Sequence, residues 1–548
     1  MGRLIEIRNI IIEGYSDEKW SPIVKGIDVN LNKGEVLGLI GESGAGKSTL
    51  GLASMAYTRQ GCRITSGSIV FDGQELFNAP KERLRKIRGT RIAYVAQSAA
   101  ASFNPAHRLI RQYAEAPVQH GLMSTQEAER KAVNIYRRLL LPDPEHIGYR
   151  YPHQVSGGQL QRAMVAMAMA CRPDVIIFDE PTTALDVTTQ IEVLAAIKKI
   201  VTEYDTAAIY ITHDLAVVAQ IADRIMVLRY GELVEENDTR TMLASPQKDY
   251  TRRLLSVRTL SEGKDLTQSE KNVILHIDDV TASYGGDFNV LEGINLKLRR
   301  GRTVALVGES GSGKSTLARV ITGLLPPKNG HVRYNGQELP PALKSRKREQ
   351  LRQLQMIYQM PDTALNPKQK ISRIIGRPLQ FYFGMGEKER EARVLELLEK
   401  IELSEKYYDR YPPELSGGEK QRVCIARALA AQPDLIICDE VTSALDQLVA
   451  EGILKLLLDL QKELKVSYLF ITHDLATVKA IADEIVVMLQ GRIVEQGIKE
   501  DILKPPHHDY TQLLLSSLPE MDPNWLDNIL HNRSVQNALD VNPQAGAA

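Results

Sequence analysis

The sequence predicts an α/β protein built twice in tandem, each half a mostly parallel sheet that carries a nucleotide pocket. Two observations predict it. A loop of the form Gly-x-x-x-x-Gly-Lys-Ser-Thr runs from Gly41 to Thr49 and again from Gly308 to Thr316. Each loop follows an apolar run of strand length, Val36–Ile40 and Val304–Val307, and leads into an apolar stretch long enough for a helix. Strand, glycine turn and helix N-terminus in that order bring backbone N–H groups and the positive end of a helix to one point, which suits phosphate. Gly41, Ser43, Gly44 and Gly46, with Gly308, Ser310, Gly311 and Gly313, are the candidates to wrap the phosphates. Lys47 and Lys314 would neutralise the β- and γ-phosphates, Thr49 and Thr316 complete the loops, and Ser48 and Ser315 can ligate Mg²⁺.

Length and composition narrow the rest. A chain of 548 residues would fill three or four domains at ~150 residues each, but an internal repeat overrides that division. Lysine plus arginine number 68 and aspartate plus glutamate also 68, so the basic excess that nucleic-acid proteins use to hold phosphates is missing. The apolar runs fall short of the ~18 residues of a membrane span, and the first residues lack a signal-peptide layout; the expectation is a soluble chain that stays where it is made. Cys62, Cys171, Cys424 and Cys438 are scattered without Cys-x-x-Cys spacing. That pattern fits reduced thiols in or near cores rather than a metal site or a disulfide framework.

The repeat is regular. The loop lysines Lys47 and Lys314 lie 267 residues apart, Gln97 and Gln359 lie 262 apart, and Ser156/Ser416, Asp179/Asp439 and His213/His473 all lie 260 apart. This places one nucleotide-binding domain at 1–255, a polar, charged linker at 256–272, a second domain at 273–516 and a C-terminal tail at 517–548. After Pro519 the tail reads as poorly packed, apart from a short helix around Trp525, Leu526, Ile529 and Leu530.

Two further motifs carry chemistry. A second apolar strand ends in paired acids, Asp179-Glu180 and Asp439-Glu440. The first acid of each pair suits Mg²⁺ through water, and the second suits polarising an attacking water, which requires hydrogen-bond reach. Between loop and acids lie Ser156-Gly157-Gly158 and Ser416-Gly417-Gly418, each opening an apolar helical stretch 23 residues before the aspartate. A serine and two glycines at a helix start make a second anion-binding terminus per half.

Together these residues resemble the ATP-binding-cassette (ABC) ATPases, over nearly the whole chain up to about residue 516. The resemblance implies two tandem phosphate-loop domains, each with a mostly parallel sheet core, an antiparallel β subdomain and a helical subdomain that bears the Ser-Gly-Gly signature. It also implies further roles. Gln97 and Gln359 look like the glutamine that senses Mg²⁺ and links to a partner, making Ser48, Gln97 and Asp179, with Ser315, Gln359 and Asp439, the metal set. Ala184-Leu185-Asp186 and Ala444-Leu445-Asp446 look like the loop that couples two sites, His213 and His473 like the γ-phosphate switch, and Tyr15 and Tyr284 like the aromatic that stacks on adenine. In the family two cassettes meet head to tail. One site would then pair Lys47, Asp179, Glu180 and His213 with Ser416-Gly417-Gly418, and the other Lys314, Asp439, Glu440 and His473 with Ser156-Gly157-Gly158.

Three features resemble the peptide and nickel importer branch: Asn104-Pro105 and Asn366-Pro367 after the glutamines, Tyr151-Pro152 and Tyr411-Pro412 before the signatures, and a closing Asp-Tyr-Thr element at Asp249–Thr251 and Asp509–Thr511. That branch implies two membrane permeases and an external solute-binding protein as partners, placing the chain on the cytoplasmic face of the cell membrane. Many members carry a late cysteine cluster linked to an iron–sulfur centre. Here no cysteine follows Cys438, so none is expected. Glu419 stands for the usual glutamine and Val441 for proline, neither at a catalytic acid. A fused sugar-importer ATPase typically degrades one site, a tandem-cassette translation factor needs a long charged helical linker, and a DNA-repair cassette carries zinc-ligand cysteine pairs; the sequence fits these less well. The stretches Phe103–Arg108 and Leu365–Lys370 are expected to form the groove for a permease helix, with Phe103 and Leu365 as apolar anchors.

Overall fold

Uninterrupted apolar runs form strands buried on both faces, and in each half they line up in a largely parallel sheet. The computed structural model describes residues 2–16, 18–182, 185–256, 272–286, 288–443 and 445–531. The first half contains β1 (Arg3–Ser16), β2 (Lys19–Asn32), β3 (Val36–Gly41), β4 (Cys62–Phe71), β5 (Gln74–Glu75), β6 (Ile92–Val95), β7 (Val175–Asp179), β8 (Ala207–Ile211), β9 (Arg224–Arg229) and β10 (Glu232–Asp238). Six of them order as β10-β9-β3-β8-β7-β6, parallel except for the β9–β10 pair. Strands β3, β7 and β8 are buried along their whole length.

The remaining four make an antiparallel sheet, β2-β1-β4-β5. Along β1 the fully buried residues are Ile5 and Ile7, then Ile10 and Ile12, each 0% exposed, a change of parity that would turn half the strand outward. A register shift between Ile7 and Ile10, with Asn9 at φ 44°, inserts the extra residue that keeps all four isoleucines on the core side. These isoleucines share one apolar core with Leu37 and Leu39 of β3 and Leu50 of the helix Lys47–Ala53. The antiparallel sheet thus packs over the phosphate-loop helix.

The second half repeats the plan with β11 (Val273–Ala282), β12 (Leu291–Arg299), β13 (Thr303–Val307), β14 (Asn329–Tyr334), β15 (Gln337–Glu338), β16 (Leu354–Ile357), β17 (Leu435–Asp439), β18 (Ser467–Ile471), β19 (Glu484–Leu489) and β20 (Arg492–Ile498). Its sheets run β12-β11-β14-β15 and β16-β17-β18-β13-β19-β20. Helices intervene between β6 and β7 and between β16 and β17, ending in Gly157–Ala168 and Gly417–Leu429, which bear the Ser-Gly-Gly motifs at their starts. Parallel core, antiparallel subdomain and helical subdomain are therefore present in both halves.

One expectation fails here. Phe103 and Leu365 are 4% and 3% exposed, and Leu365 belongs to the core shared by the helices Ile371–Pro378 and Glu387–Lys400. They hold the helical subdomain together and are not surface anchors, because an apolar residue in a polar loop is more stable turned into the neighbouring core. The tail shows the expected short helix around Trp525 and Leu526. The chain folds as two units, one holding the residues up to Ser256 and again those from Pro519, the other ending at Leu518. The segment 519–531 contains a helix at 525–531, with Trp525 and Leu526 buried, so it is packed within the first unit. Most of the predicted linker, and the tail beyond 531, lie outside the described residues. Among the described residues no helix is long and apolar enough to cross a membrane.

Candidate nucleotide sites

Both candidate sites are assembled at the C-terminal ends of parallel strands, where an open α/β sheet offers its crevice to a ligand. In the first unit β3 runs directly into the loop. Gly41 has φ 146°, and a Cβ there would sit 2.1 Å from the carbonyl oxygen of Leu228, so only glycine lets the chain leave the strand at this angle. Gly308 repeats this with φ 151° and 2.2 Å to the carbonyl oxygen of Met488. Gly46 and Gly313, both in the left-handed region, precede the helices that start at Lys47 and Lys314.

The loop lysines are buried and hold their own loops in shape. Lys47 Nζ donates to the carbonyls of Gly41 and Glu42 at 2.7 and 2.8 Å. Lys314 Nζ donates to those of Gly308 and Glu309 at 2.8 and 2.7 Å, and Ser312 Oγ lies 3.4 Å away. Ser43 and Ser310 stand in the same loops, and Thr49 and Thr316 in the first turns of the helices.

The acids meet the loops. Ser48 Oγ donates to Asp179 Oδ1 at 2.7 Å and Ser315 Oγ to Asp439 Oδ1 at 3.0 Å. Gln97 Nε2 donates to Glu180 Oε2 at 3.0 Å, and Gln359 Nε2 to Glu440 Oε2 at 2.6 Å. His213 Nδ1 lies 3.3 Å from Glu180 Oε1, and His473 Nδ1 lies 3.4 Å from Glu440 Oε1. Each glutamate has positive φ, 49° and 50°, the one residue type in the motif that pays backbone strain at this turn. Six predicted residues per unit, loop lysine, serine, glutamine, aspartate, glutamate and histidine, therefore converge.

Charge follows geometry. Burial pushes the His213 and His473 imidazoles down, but the hydrogen bond and charge of Glu180 or Glu440 outweigh it and raise both above the ordinary imidazole value. Glu440 is pushed up by burial, yet the His473 hydrogen bond and charge, with Lys314 nearby, leave it below the usual carboxyl range. Asp439 is raised, chiefly by burial, against the opposing bond from Ser315. A hydroxyl, a carboxylate and an amide form a sparse hard-oxygen set of the kind that takes Mg²⁺ together with phosphate oxygens and water. Ser48, Asp179 and Gln97, or Ser315, Asp439 and Gln359, fit that ion, which would neutralise charge on the phosphates when bound.

The signature helices begin with reciprocal caps. Ser156 Oγ accepts the N–H of Gln159 at 3.3 Å while Gln159 Oε1 accepts that of Ser156 at 3.2 Å. In the second unit Glu419 Oε2 accepts the Ser416 N–H at 2.7 Å and its hydroxyl at 2.9 Å, and Tyr407 also donates to Glu419. Gly158 and Gly418 lie so close to the following helix that a Cβ would meet Thr189 Cγ2 at 2.1 Å and Val449 Cγ1 at 2.4 Å. Gly157 and Gly417 occupy the first helical positions beside them. Asp186 and Asp446 cap those following helices; Ala184 and Ala444 lie outside the described residues.

The two tyrosines differ. Tyr15 and Tyr284 are 54% and 56% exposed. Tyr15 leans on Trp20, centroids 5.3 Å apart, whereas the Tyr284 hydroxyl is 3.2 Å from Thr316 Oγ1 and accepts from Arg319 at 2.9 Å.

Sequence reasoning gave no role at the site to three residues here. The hydroxyl of Tyr250 accepts the Glu42 N–H at 3.3 Å, and that of Tyr510 accepts the Glu309 N–H at 2.8 Å. The closing Asp-Tyr-Thr elements thereby brace the phosphate loops; their duplication was the available signal. Tyr94 donates to Asp179 Oδ2 at 2.6 Å, and Met356 replaces it in the second half, so no repeated pattern marked it.

The model of the family described as ABC transporter matches residues 24–183 and 291–443, and that described as Oligopeptide/dipeptide transporter, C-terminal region, matches residues 494–543. The chain is 38% identical to the glutathione import ATP-binding protein GsiA of Salmonella choleraesuis (strain SC-B67), over 95% of this chain and 90% of that one. It is 36% identical, over the same shares, to the protein of that name from Escherichia coli (strain K12). Among solved structures it is similar to the complex of archaeal ribosomal stalk protein aP1 and archaeal ribosome recycling factor aABCE1, at 20% identity and TM-score 0.60 over 90% of each chain. At that identity the likeness concerns the fold alone.

Proposed function

The chain belongs to the ABC transporter family, in its peptide and nickel importer branch, and from that premise we propose that it is the ATP-hydrolysing subunit of a bacterial importer for oligopeptides or peptide-like solutes. The observation that carries the reading is the convergence, in each unit, of loop lysine, serine, glutamine, aspartate, glutamate and histidine at the strand ends. Phosphoryl transfer asks a protein mainly for position and charge, and this set supplies both. Glu180 and Glu440 act as general bases toward water. Each is engaged by a glutamine and a histidine, and a γ-phosphate offers the protonated histidine a competing anion, which frees the carboxylate to take a proton.

The family's head-to-tail pairing completes each site with the other half's Ser-Gly-Gly motif, so ATP bridges the halves and hydrolysis lets them open. The coupling is then a two-state element biased by ligand. Partners on this reading are two membrane permeases, which hold the subunit at the cytoplasmic face, and an external solute-binding protein. A docking surface for a permease segment is the cavity of about 660 Å³ beside the sensor strand β16, lined by Leu324, Leu343, Met356, Tyr358 and Tyr382. Tyr358 is exposed, as are Met360, two residues on, and Phe381, next to Tyr382 in sequence. The test is purification from membranes with an affinity tag on this chain. Recovery with two integral membrane proteins, together with solute uptake that fails when Lys47 and Lys314 are both replaced by alanine, supports the reading; recovery with ribosomes contradicts it.

A further inference from the structure

The segment 519–531 reads Pro-Glu-Met-Asp-Pro-Asn-Trp-Leu-Asp-Asn-Ile-Leu-His, with three acids and no lysine or arginine. It follows the second repeat in the chain yet is packed within the first unit. Its contacts are specific. The Nε2 of Gln220, a buried side chain, lies 2.7 Å from the carbonyl oxygen of Glu520 and 3.0 Å from that of Asp522, with Ala216 of its own helix at 3.1 Å. Its Oε1 accepts the backbone N–H of Leu526 at 3.0 Å. One amide thus reads the turn that starts the tail helix from both sides. Lys198 Nζ meets both carboxylate oxygens of Asp527 at 2.8 and 2.9 Å, and Arg240 donates to Asn524 Oδ1 at 3.0 Å. Trp525 and Leu526 are 6% and 0% exposed.

The seat spans three elements of the first unit: the helix Val187–Tyr204, the C-terminal end of Leu215–Ala219, and the helix Thr239–Ala244. At the offset of 260 residues that holds over this region, Lys198, Gln220 and Arg240 correspond to Leu458, Ala480 and Glu500. The second repeat therefore has an apolar residue, a methyl group and a carboxylate, which accepts where Arg240 donates, at the places of the three polar groups that recognise the tail. A buried N–H or carbonyl left without its partner costs more than the bond itself is worth, so this difference selects the first repeat. None of Lys198, Gln220 and Arg240 belongs to a phosphate loop, to the paired acids or to a Ser-Gly-Gly motif, and Gln220 is not the site glutamine Gln97.

We propose that 519–531 is a clasp: it holds the second repeat's chain on a receptor face that only the first repeat possesses, and it does so independently of the linker and of nucleotide. A second attachment raises the effective concentration of one repeat about the other, so the pair stays assembled through the part of the cycle in which ATP is absent. Trp525, one of only two tryptophans, reports on it.

The test uses the full chain with a protease recognition sequence inserted within 257–271, cleaved after purification and run on a sizing column in buffer with chelator and without nucleotide. The two pieces are expected to elute together. Gln220→Ala and Trp525→Ala are each expected to weaken that association at least ~tenfold, about the loss that one or two hydrogen bonds or a buried aromatic ring would give. Nucleotide binding by the uncut variants checks their fold. A milder variant removes dependence on buried sites: Lys198→Glu is expected to weaken association and Asp527→Lys, added to it, to restore it. Separation of the pieces in the unsubstituted protein overturns the proposal, as does undiminished association in Gln220→Ala and Trp525→Ala.

Discussion

The two repeats agree at the atoms that would touch ATP and differ around them. In both, the loop lysine bonds the same two loop carbonyls, serine meets aspartate, and glutamine and histidine share the glutamate. Around that shared set the first repeat adds Tyr94 and Arg59 to its aspartate, the arginine at 3.6 Å, while the second has Met356 and leaves Asp439 raised by burial. Gln159 caps the first signature helix and Glu419 the second. Only the first offers the tail a seat. Chemistry required at both sites is thus written twice, whereas attachment is written once, where one copy suffices.

The strongest way to break this comparison is to remove the bases one at a time. Glu→Gln keeps the shape and removes the charge that activates water, a loss of ~10²–10⁴-fold for a general base. Glu180→Gln and Glu440→Gln are each expected to lower steady-state ATPase by ~10²–10⁴-fold, because on the proposed head-to-tail reading ATP trapped at either site would hold the halves closed. Near-normal turnover in one variant would make that site regulatory. The cores come next. Phe103→Ala and Leu365→Ala are expected to destabilise their own units by about 2–5 kcal/mol, measured by denaturant unfolding, since both fill a packed helical subdomain. A loss of permease binding without loss of stability would return them to the surface.

Smaller effects sharpen the picture. Tyr250→Phe and Tyr510→Phe remove one neutral hydrogen bond each from a phosphate loop and are expected to weaken ATP binding ~2–10-fold, read by calorimetry. The His473–Glu440 pair sets a pH signature. The imidazole is raised, so its contribution is whole below the ordinary value and fades as pH climbs through the raised one; the carboxyl is lowered, so its contribution is whole above the ordinary value and fades as pH falls through the lowered one. The stability lost in His473→Gln should therefore be largest between about pH 4.3 and 6.5 and shrink on either side. The smallest effect is at the signature. Glu419→Gln removes a negative charge from a helix N-terminus that would face the γ-phosphate of the first repeat's ATP. It is expected to tighten ATP binding there by ~2–5-fold at low salt.

Much of the site was legible because its residues stand at strand ends in short contiguous motifs, which survive without knowledge of tertiary contacts. Asp179-Glu180 after β7 and Ile-Thr-His after β8 are of this kind. What was illegible depends on distant partners. Phe103 and Leu365 are apolar residues in polar stretches, and hydrophobicity alone does not distinguish a docking anchor from a core residue. Gln220 carries no periodic or compositional signal, and its partners Glu520, Asp522 and Leu526 lie some 300 residues away. The short tail helix around Trp525 and Leu526 was legible, but not its seat, because the surface that receives it belongs to the other repeat's sequence.

The central claim is that both repeats hydrolyse ATP, and the nucleotide held by the single variants tests it most directly. Glu180→Gln and Glu440→Gln, incubated with radiolabelled ATP and Mg²⁺ and stripped of free nucleotide on a column, are denatured and their bound nucleotide identified. The account predicts ATP retained at the substituted site and ADP at the intact one, in equal amounts, for both variants. ATP alone in either variant would mean that its unsubstituted site does not hydrolyse, and would contradict the account.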